Sequence, residues 1–475
     1  MSRHELTGTD GFRDIATTSL VPGEMNQPTI FALSKALTEY ALERNPLAVE
    51  VCIGEDTRPC NRLLTPAAIS GVLSAGGVVR YLGVSPTPTT LRAAQNYGAA
   101  AAISMSASHN SAEYGGWKGT VGPDKLSGVE PQKISNRAWQ IMDTKSPLHA
   151  VSKMGARLRP RYRHDYIDAY VTDVAEAIES SFGAQPLMDK AFVIDAAQGA
   201  AQQVTPQVFR RLGATVHEFA CDGETPINDG CGATDLSGAQ RYAYTQDLHK
   251  DPNFVGIIAN DGDADRIIGA FPSIDTSGNI HPATVDGNRL LEYMSENERG
   301  VVGTVYTNDA SVERIRERDV DFAFCGNGDV AVTQKLYEHG WRIGSEFSGH
   351  HVDLAWLSSG DGILKGAWLA AYAVKNGMNF ADLVNSTPLY PEVMRKLQLP
   401  QGTRSIDIGK LSLGTVLDSS PADQAQSFRH VTRASGTEPV VRIWGVGKSQ
   451  EYVNKRTKLI EQAISQSLHL GTPKR

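Results

Sequence analysis

The chain has 475 residues, a formal net charge of −7, 41% hydrophobic residues and 21% charged residues. That length suits about three or four domains, and the composition is that of a globular protein. No long single-sign run marks a nucleic-acid or membrane surface, and no apolar stretch is long enough to span a bilayer.

The opening MSRHELTGTDGFRD is polar and lacks the apolar core of a secretory signal. Next come short β-branched runs, each ending in a loop of Gly, Asp or Asn: Ala48–Arg58, Ala191–Ala200, Phe254–Arg266 and Gly300–Asp309. Helical patterns lie between them, at Thr65–Gly77 and Val204–Ala214 for example. Alternating strands and helices predict an α/β protein with parallel or mixed sheets. Such sheets hold ligands in the loops beyond their strand ends. The recurrence is one of architecture, without a residue-by-residue repeat. The expected domains are 1–149, 150–252, 253–378 and a smaller one over 379–475. Five scattered cysteines with no C-x-x-C pair read as reduced thiols of a cytoplasmic protein.

Four loops carry chemistry. In SMSASHN, Ser104, Ser106 and Ser108 are each candidates for a nucleophile or a phosphate carrier, or parts of a polar turn. In NDGDADR, Asp261, Asp263 and Asp265 alternate, and their mutual repulsion calls for a cation such as Mg²⁺ or Ca²⁺. An EF-hand is excluded, because Arg266 and Pro272 stand where that loop needs Gly and Glu. A solvated acidic turn is the plain alternative. In GSEFSGHH, Glu346 and Ser348 can hydrogen-bond a polyol, and His350 can bond or move protons. In RASGTEPVVRIWG, Arg433, the Ser435 and Thr437 hydroxyls, backbone N–H groups and Arg442 can surround a phosphate.

In this order the loops resemble the α-D-phosphohexomutase family. The hallmark T-A-S-H-N-P stands here as Ser106-Ala107-Ser108-His109-Asn110-Ser111. DGDADR, SEFSGH and RASGTEP match the other three hallmarks, and GTDGFR, GEDTRP and SGDGIL are similar to further family segments. The resemblance spans nearly the whole chain. It implies three related α/β domains with mixed sheets and a smaller α+β C-terminal domain around a central cleft.

The resemblance also implies roles. Ser108 would be the phosphoserine and would complete a Mg²⁺ site with Asp261, Asp263 and Asp265. Lys118 and His350 would manage protons, with His109 beside them in the serine loop. Arg13 and Arg58 would stabilise charge, Arg58 at the substrate. Glu346 and Ser348 would bind the sugar. Arg433, Ser435, Gly436, Thr437 and Arg442 would hold the phosphate that is not reacting. The cycle would pass through a hexose 1,6-bisphosphate, which also serves as activator.

The expected partner is a hexose phosphate, with a second copy of the chain as a further one, and neither nucleic acid nor membrane. GTDGFR and PINDGCGATDL are similar to phosphoglucosamine mutase segments and favour glucosamine 6-phosphate. Mannose or glucose phosphates, or a sugar-phosphate-binding protein without turnover, are the alternatives. Phe347, Ser345, GGWKG and NGDVAV depart from the family pattern around the substrate.

Overall fold

A computed structural model describes residues 5–7, 11–143, 165–274, 280–399, 408, 411, 414–434 and 439–470. Four sheets follow one another along the chain. The first contains β1 (Phe12–Ile15), β2 (Glu50–Glu55), β3 (Val78–Val84), β4 (Ala101–Met105), β5 (Tyr114–Val121) and β6 (Asp124–Lys125). Its order is β1-β5-β4-β2-β3, with β6 paired to β5. The second contains β7 (Ala191–Asp195), β8 (Thr215–Phe219), β9 (Phe254–Asn260), β10 (Ile267–Ile274) and β11 (Ile280–Val285), in the order β11-β10-β9-β7-β8. The third contains β12 (Gly300–Thr304), β13 (Asp321–Cys325), β14 (Ile343–Ser345), β15 (His351–Asp353) and β16 (Leu357–Gly360), in the order β13-β12-β14-β15-β16.

These three sheets share one plan. Three strands run parallel, and the strand after them turns back antiparallel: β5 on β4, β10 on β9, β15 on β14. The central strands β4, β7, β9 and β12 are buried along their whole length. That is why they read as continuous apolar runs rather than alternating ones. The fourth sheet, β17 (Glu392–Gln398), β18 (Arg429–Ala434) and β19 (Val440–Val446), is antiparallel in the order β17-β19-β18. Val453, Ile460 and Ile464 of the helix Gln450–Leu470 pack on its Val441 and Ile443.

Helix starts follow their caps. The side chain of Asn26 accepts from Thr29 N at 3.0 Å and opens Gln27–Arg44. Asp361 accepts from Ile363 N and Leu364 N to open Gly362–Lys375. The two helices expected from sequence are Asn61–Ser74 and Val204–Arg211.

Two domain limits differ from the sequence expectation. β9 pairs with β7, so the aspartate loop belongs to the second sheet rather than to a unit beginning at 253. The helix Phe380–Ser386 buries Phe380 and Leu383 in the core that holds Phe192 and Ile363. It therefore goes with the preceding units, and the fourth sheet begins at β17. The limit expected at 149/150 lies outside the described residues. No helix among the described residues is long and apolar enough to cross a membrane, and all five cysteines are free thiols.

Candidate active site

The shared plan puts three loops at one topological position, between the third parallel strand and the antiparallel return. The serine loop joins β4 to β5, the aspartate loop joins β9 to β10, and the Glu346–His350 loop joins β14 to β15. Ser108 is fully buried and takes φ = 49°, a left-handed conformation uncommon for serine. Its N–H donates to Ser106 Oγ at 2.9 Å. Close approach sets the neighbouring strand: a Cβ at Gly116 would lie 2.0 Å from the Ser106 carbonyl oxygen.

Lys118, on β5 opposite Ser104, ties this loop to the next. Its Nζ lies 2.6 Å from Asp263 Oδ2 and 2.7 Å from Asp265 Oδ2. Thr87 Oγ1 donates to the same Asp263 oxygen at 2.5 Å. Asp261 Oδ1 accepts from Arg266 N at 3.2 Å. These bonds leave Asp261 Oδ2, Asp263 Oδ1, Asp265 Oδ1 and Ser108 Oγ buried without a hydrogen-bond partner. Ligand atoms of the three aspartates lie within 4.8 Å of one another. Three carboxylate oxygens and a hydroxyl form a hard donor set that suits Mg²⁺.

The electrostatics point the same way. Burial, with Asp265 and Asp263 beside it, pushes Asp261 up to about 8. Burial also opposes ionisation of Asp265, yet Lys118, His350 and Arg266 hold that carboxyl well below the usual range. For Asp263, burial and Asp265 are outweighed by Lys118 and Thr87, and the carboxyl is lowered. The side chains present do not fully neutralise the group, and a divalent cation supplies the charge it lacks. The residues fit the metal.

Arg13 lies among the same charges. Burial and Arg266 lower its pKa, while Asp263, Asp265 and Asp261 raise it. Burial, followed by Arg266 and Arg13, pushes His109 down to about 3 and keeps its ring neutral. His350 is buried between two units. Its Nε2 accepts from Gly360 N at 2.9 Å and lies 3.4 Å from Asp329 Oδ2, and its Nδ1 lies 3.9 Å from Asp265 Oδ1. Burial lowers its pKa against the pull of Asp265 and Asp329. Asp329 in turn is ion-paired with Lys125 of β6.

Glu346 is buried, and its Oε1 accepts from Gly328 N at 2.7 Å; Ser348 is half-buried nearby in the same loop. The Phe347 ring is 40% exposed and lies 5.8 Å from that of Tyr306. Tyr306 reaches the fourth sheet, with its ring 5.5 Å from Trp444 and under the Arg433 guanidinium at 5.6 Å. Arg433 and Arg442 are Cα partners across β18 and β19. Like charges directly opposite destabilise a sheet, and an anion between them removes the penalty. Ser435, Gly436 and Thr437 lie outside the described residues.

Comparison with known proteins agrees with this geometry. A model of phosphoglucomutase/phosphomannomutase alpha/beta/alpha domain I matches residues 4–143, and one of domain III matches residues 286–390. The phosphoglucosamine mutase of Photobacterium profundum is 30% identical over 482 residues, covering 98% of this chain and 99% of its own. The chain belongs to the α-D-phosphohexomutase family.

It is a phosphohexomutase, an intramolecular phosphotransferase. The phosphoglucosamine mutase of Desulforamulus reducens is also 30% identical, over 96% of this chain and 99% of its own. A phosphoglucomutase/phosphomannomutase family protein from Burkholderia thailandensis shares the fold, with TM-score 0.73, 20% identity and 98% of both chains covered. So does Aspergillus fumigatus N-acetylphosphoglucosamine mutase, solved with GlcNAc-6P and magnesium, with TM-score 0.62, 15% identity and 97% and 96% coverage.

Within this phosphohexomutase the structure gives Arg58 a different task from the substrate contact expected of it. Arg58 is buried. Its Nε pairs with Asp56 at 2.9 Å, and its Nη atoms donate to the carbonyls of Ser108, Asn110, Ser111 and Tyr114. It braces the serine loop and has no donor left for a ligand. Thr87, Lys125, Asp329, Arg266 and Asn228 also contribute here, and sequence reasoning missed them. Only the departure noted at NGDVAV touched Asp329. The others act across more than a hundred positions or as single polar residues, which leaves no local pattern.

Proposed function

We propose that this phosphohexomutase interconverts glucosamine 6-phosphate and glucosamine 1-phosphate, with Ser108 carrying the transferred phosphoryl group. The observation that carries the reading is the convergence of Ser108 Oγ with one unpartnered oxygen from each of Asp261, Asp263 and Asp265. The amino sugar is supported by curated relatives named phosphoglucosamine mutase at 28–30% identity over nearly the full length.

In the first half-reaction a sugar hydroxyl attacks phosphorus on phospho-Ser108. The new P–O bond forms as the P–Oγ bond breaks, and the hydroxyl proton passes to a protein base. The 1,6-bisphosphate then returns its other phosphate to Ser108, and a proton returns to the sugar oxygen. Ser108, Asp261, Asp263 and Asp265 would hold Mg²⁺, which when bound supplies positive charge against the phosphoryl oxygens. Lys118, hydrogen-bonded to both Asp263 and Asp265, is assigned to proton handling at the reacting hydroxyl. His350 accepts at Nε2, so its neutral ring offers Nδ1–H and orients Asp265. Arg13 offsets negative charge, and neutral His109 acts as a hydrogen-bonding group. Arg433 and Arg442 grip the spectator phosphate in forked hydrogen bonds, while Glu346 and Ser348 face the sugar hydroxyls. Free 1,6-bisphosphate restores phosphate to Ser108, which makes it the activator.

The test is phosphorus NMR of protein with Mg²⁺, a trace of hexose 1,6-bisphosphate and glucosamine, glucose or mannose 6-phosphate in turn. Selective formation of glucosamine 1-phosphate that disappears in Ser108→Ala is the expected result. Faster conversion of glucose or mannose phosphate overturns the substrate. Release of inorganic phosphate alone overturns the proposed transfer cycle.

A further inference from the structure

Two carbonyls of the serine loop each accept two side-chain hydrogen bonds. Arg58 Nη2 donates to Ser108 O at 2.8 Å and to Asn110 O at 2.7 Å. Asn228 Nδ2 donates to the same two oxygens, at 2.8 and 2.9 Å. Arg58 comes from the loop after β2 in the first unit. Asn228 comes from the second unit, in the segment Pro226–Leu236 that the sequence associates with choice of sugar. We propose that Asn228 is a positioning residue for phosphoryl transfer, holding the Ser108 backbone so that Oγ faces the three aspartates.

The need for such a hold is in the backbone. A non-glycine residue at φ = 49° costs about 1–3 kcal/mol and persists only where its surroundings over-determine it. Arg58 fixes the loop from its own unit, and Asn228 fixes it against the unit that carries the aspartates. The amide is the group the position demands: one nitrogen with two N–H bonds meets two carbonyl oxygens. These two acceptors also settle which end of the amide faces them.

Asn228 is itself firmly seated. Its φ is 59°, which asparagine tolerates better than most residues. Its N–H donates to Ala197 O at 3.0 Å. Buried Asp195 ties both flanks, accepting from Ala197 N at 2.9 Å and Gly232 N at 2.7 Å. The aspartate loop presses on the same spot. A Cβ at Gly262 would lie 2.6 Å from Ser108 O and 3.0 Å from Asn228 Nδ2. Asn228 therefore stands where the serine loop, the aspartate loop and the second unit meet. The inference rests on Ser108 being the phosphate carrier.

Asn228→Asp keeps the volume and replaces both donors with acceptors aimed at carbonyl oxygens. In steady-state kinetics of the full chain with Mg²⁺ and glucosamine 6-phosphate, kcat falls 10- to 100-fold while KM stays within threefold. Phosphorylation of Ser108 by glucose 1,6-bisphosphate, followed by intact mass, slows by the same factor. Asn228→Ala shows the same split with a smaller loss of kcat, and it carries the comparison should the Asp variant not fold. Wild-type kcat in both variants overturns the inference. So does a proportional change of kcat and KM that tracks a lowered melting temperature, since that is loosening of the fold alone. A wild-type chain that turns over without phosphate on Ser108 overturns the reading beneath it and the clamp together. Wild-type turnover through phospho-Ser108 with an indifferent Asn228 overturns the clamp only.

Discussion

Gly262 offers a direct test of how closely the serine and aspartate loops must sit. A Cβ there would be 2.6 Å from Ser108 O and 2.7 Å from Ile227 Cδ1, against 3.4 Å for ordinary contact. Its nearest neighbour is a backbone oxygen held by Arg58 and Asn228, which cannot swing aside. Gly262→Ala must therefore push the two loops apart by roughly 0.8 Å, at about 1–3 kcal/mol for the overpacking. A misplacement of about 1 Å at a reacting centre costs on the order of 100-fold in rate, so kcat should fall between about 30- and 100-fold. The assay is kcat with saturating Mg²⁺ and hexose phosphate, beside thermal melting. Gly98→Ala is the control. Gly98 caps the helix Thr87–Tyr97 at φ = 60° with nothing within 4 Å of a built Cβ. It should lose about 1–2 kcal/mol of stability from left-handed strain and keep its kcat. Wild-type kcat in Gly262→Ala, or an equal loss in Gly98→Ala, refutes the reasoning.

Three further outcomes are expected. With Asp261 pushed up to about 8 before metal binds, the metal-free fold holds a proton that the unfolded chain has lost above about pH 4. Its stability therefore falls as pH rises from about 4 through 8. Mg²⁺ binding at pH 7 should release close to one proton and progressively less above pH 8, read by calorimetry in buffers of different ionisation enthalpy; binding with no proton release at pH 7 contradicts the assignment. Arg433→Ala loses a charge-assisted bond to phosphate, about 1.5–3 kcal/mol, so KM rises roughly 10- to 150-fold. Its melting temperature should not fall, because Arg433 faces Arg442 across the sheet, and a clear drop would count against the anion-site reading. Phe347→Gln removes a ring that is 40% exposed, so it should leave melting unchanged and shift the ratio of kcat/KM between glucosamine and glucose 6-phosphates at least fivefold; an unaltered ratio means the ring does not meet the sugar.

The parts legible in sequence are those that act locally. Strands β4, β7, β9 and β12 read clearly because both faces are covered and the apolar run is unbroken. The aspartates of DGDADR and the serine of SASHN announce themselves because their ligand atoms are close along the chain. What a strand pairs with is a different question. β9 carries no mark saying that β7 is its neighbour, so the aspartate loop was expected one unit too late. Arg58 shows a similar limit. An arginine in a motif fits a substrate anion as well as a cluster of carbonyls, and only its burial against Ser108, Asn110, Ser111 and Tyr114 decides between them. Asn228 and Asp329 take their meaning from partners 120 and 204 positions away.

The cross-unit bonds divide into two sets with different consequences. Lys118 of the first unit meets Asp263 and Asp265 of the second, His350 of the third lies against Asp265, and Asp329 of the third pairs with Lys125 of the first. These pairs are buried, and removing one partner of a buried pair costs about 3–5 kcal/mol because the other charge is left unmatched. Assembly of the first three units and the catalytic electrostatics therefore draw on the same contacts, and a substitution among them cannot weaken one and spare the other. The fourth unit is joined differently. Arg429 bonds Asp309 and the carbonyls of Val305 and Thr307, and Asn308 donates to Tyr390 O and Glu392. None of these groups belongs to the buried charge network. A rotation of the fourth unit about this joint changes where Arg433 and Arg442 stand and leaves Lys118, Asp263 and Asp265 in place. One arrangement of the metal loop can then serve a sugar phosphate presented by either end, with the spectator phosphate followed by the fourth unit alone.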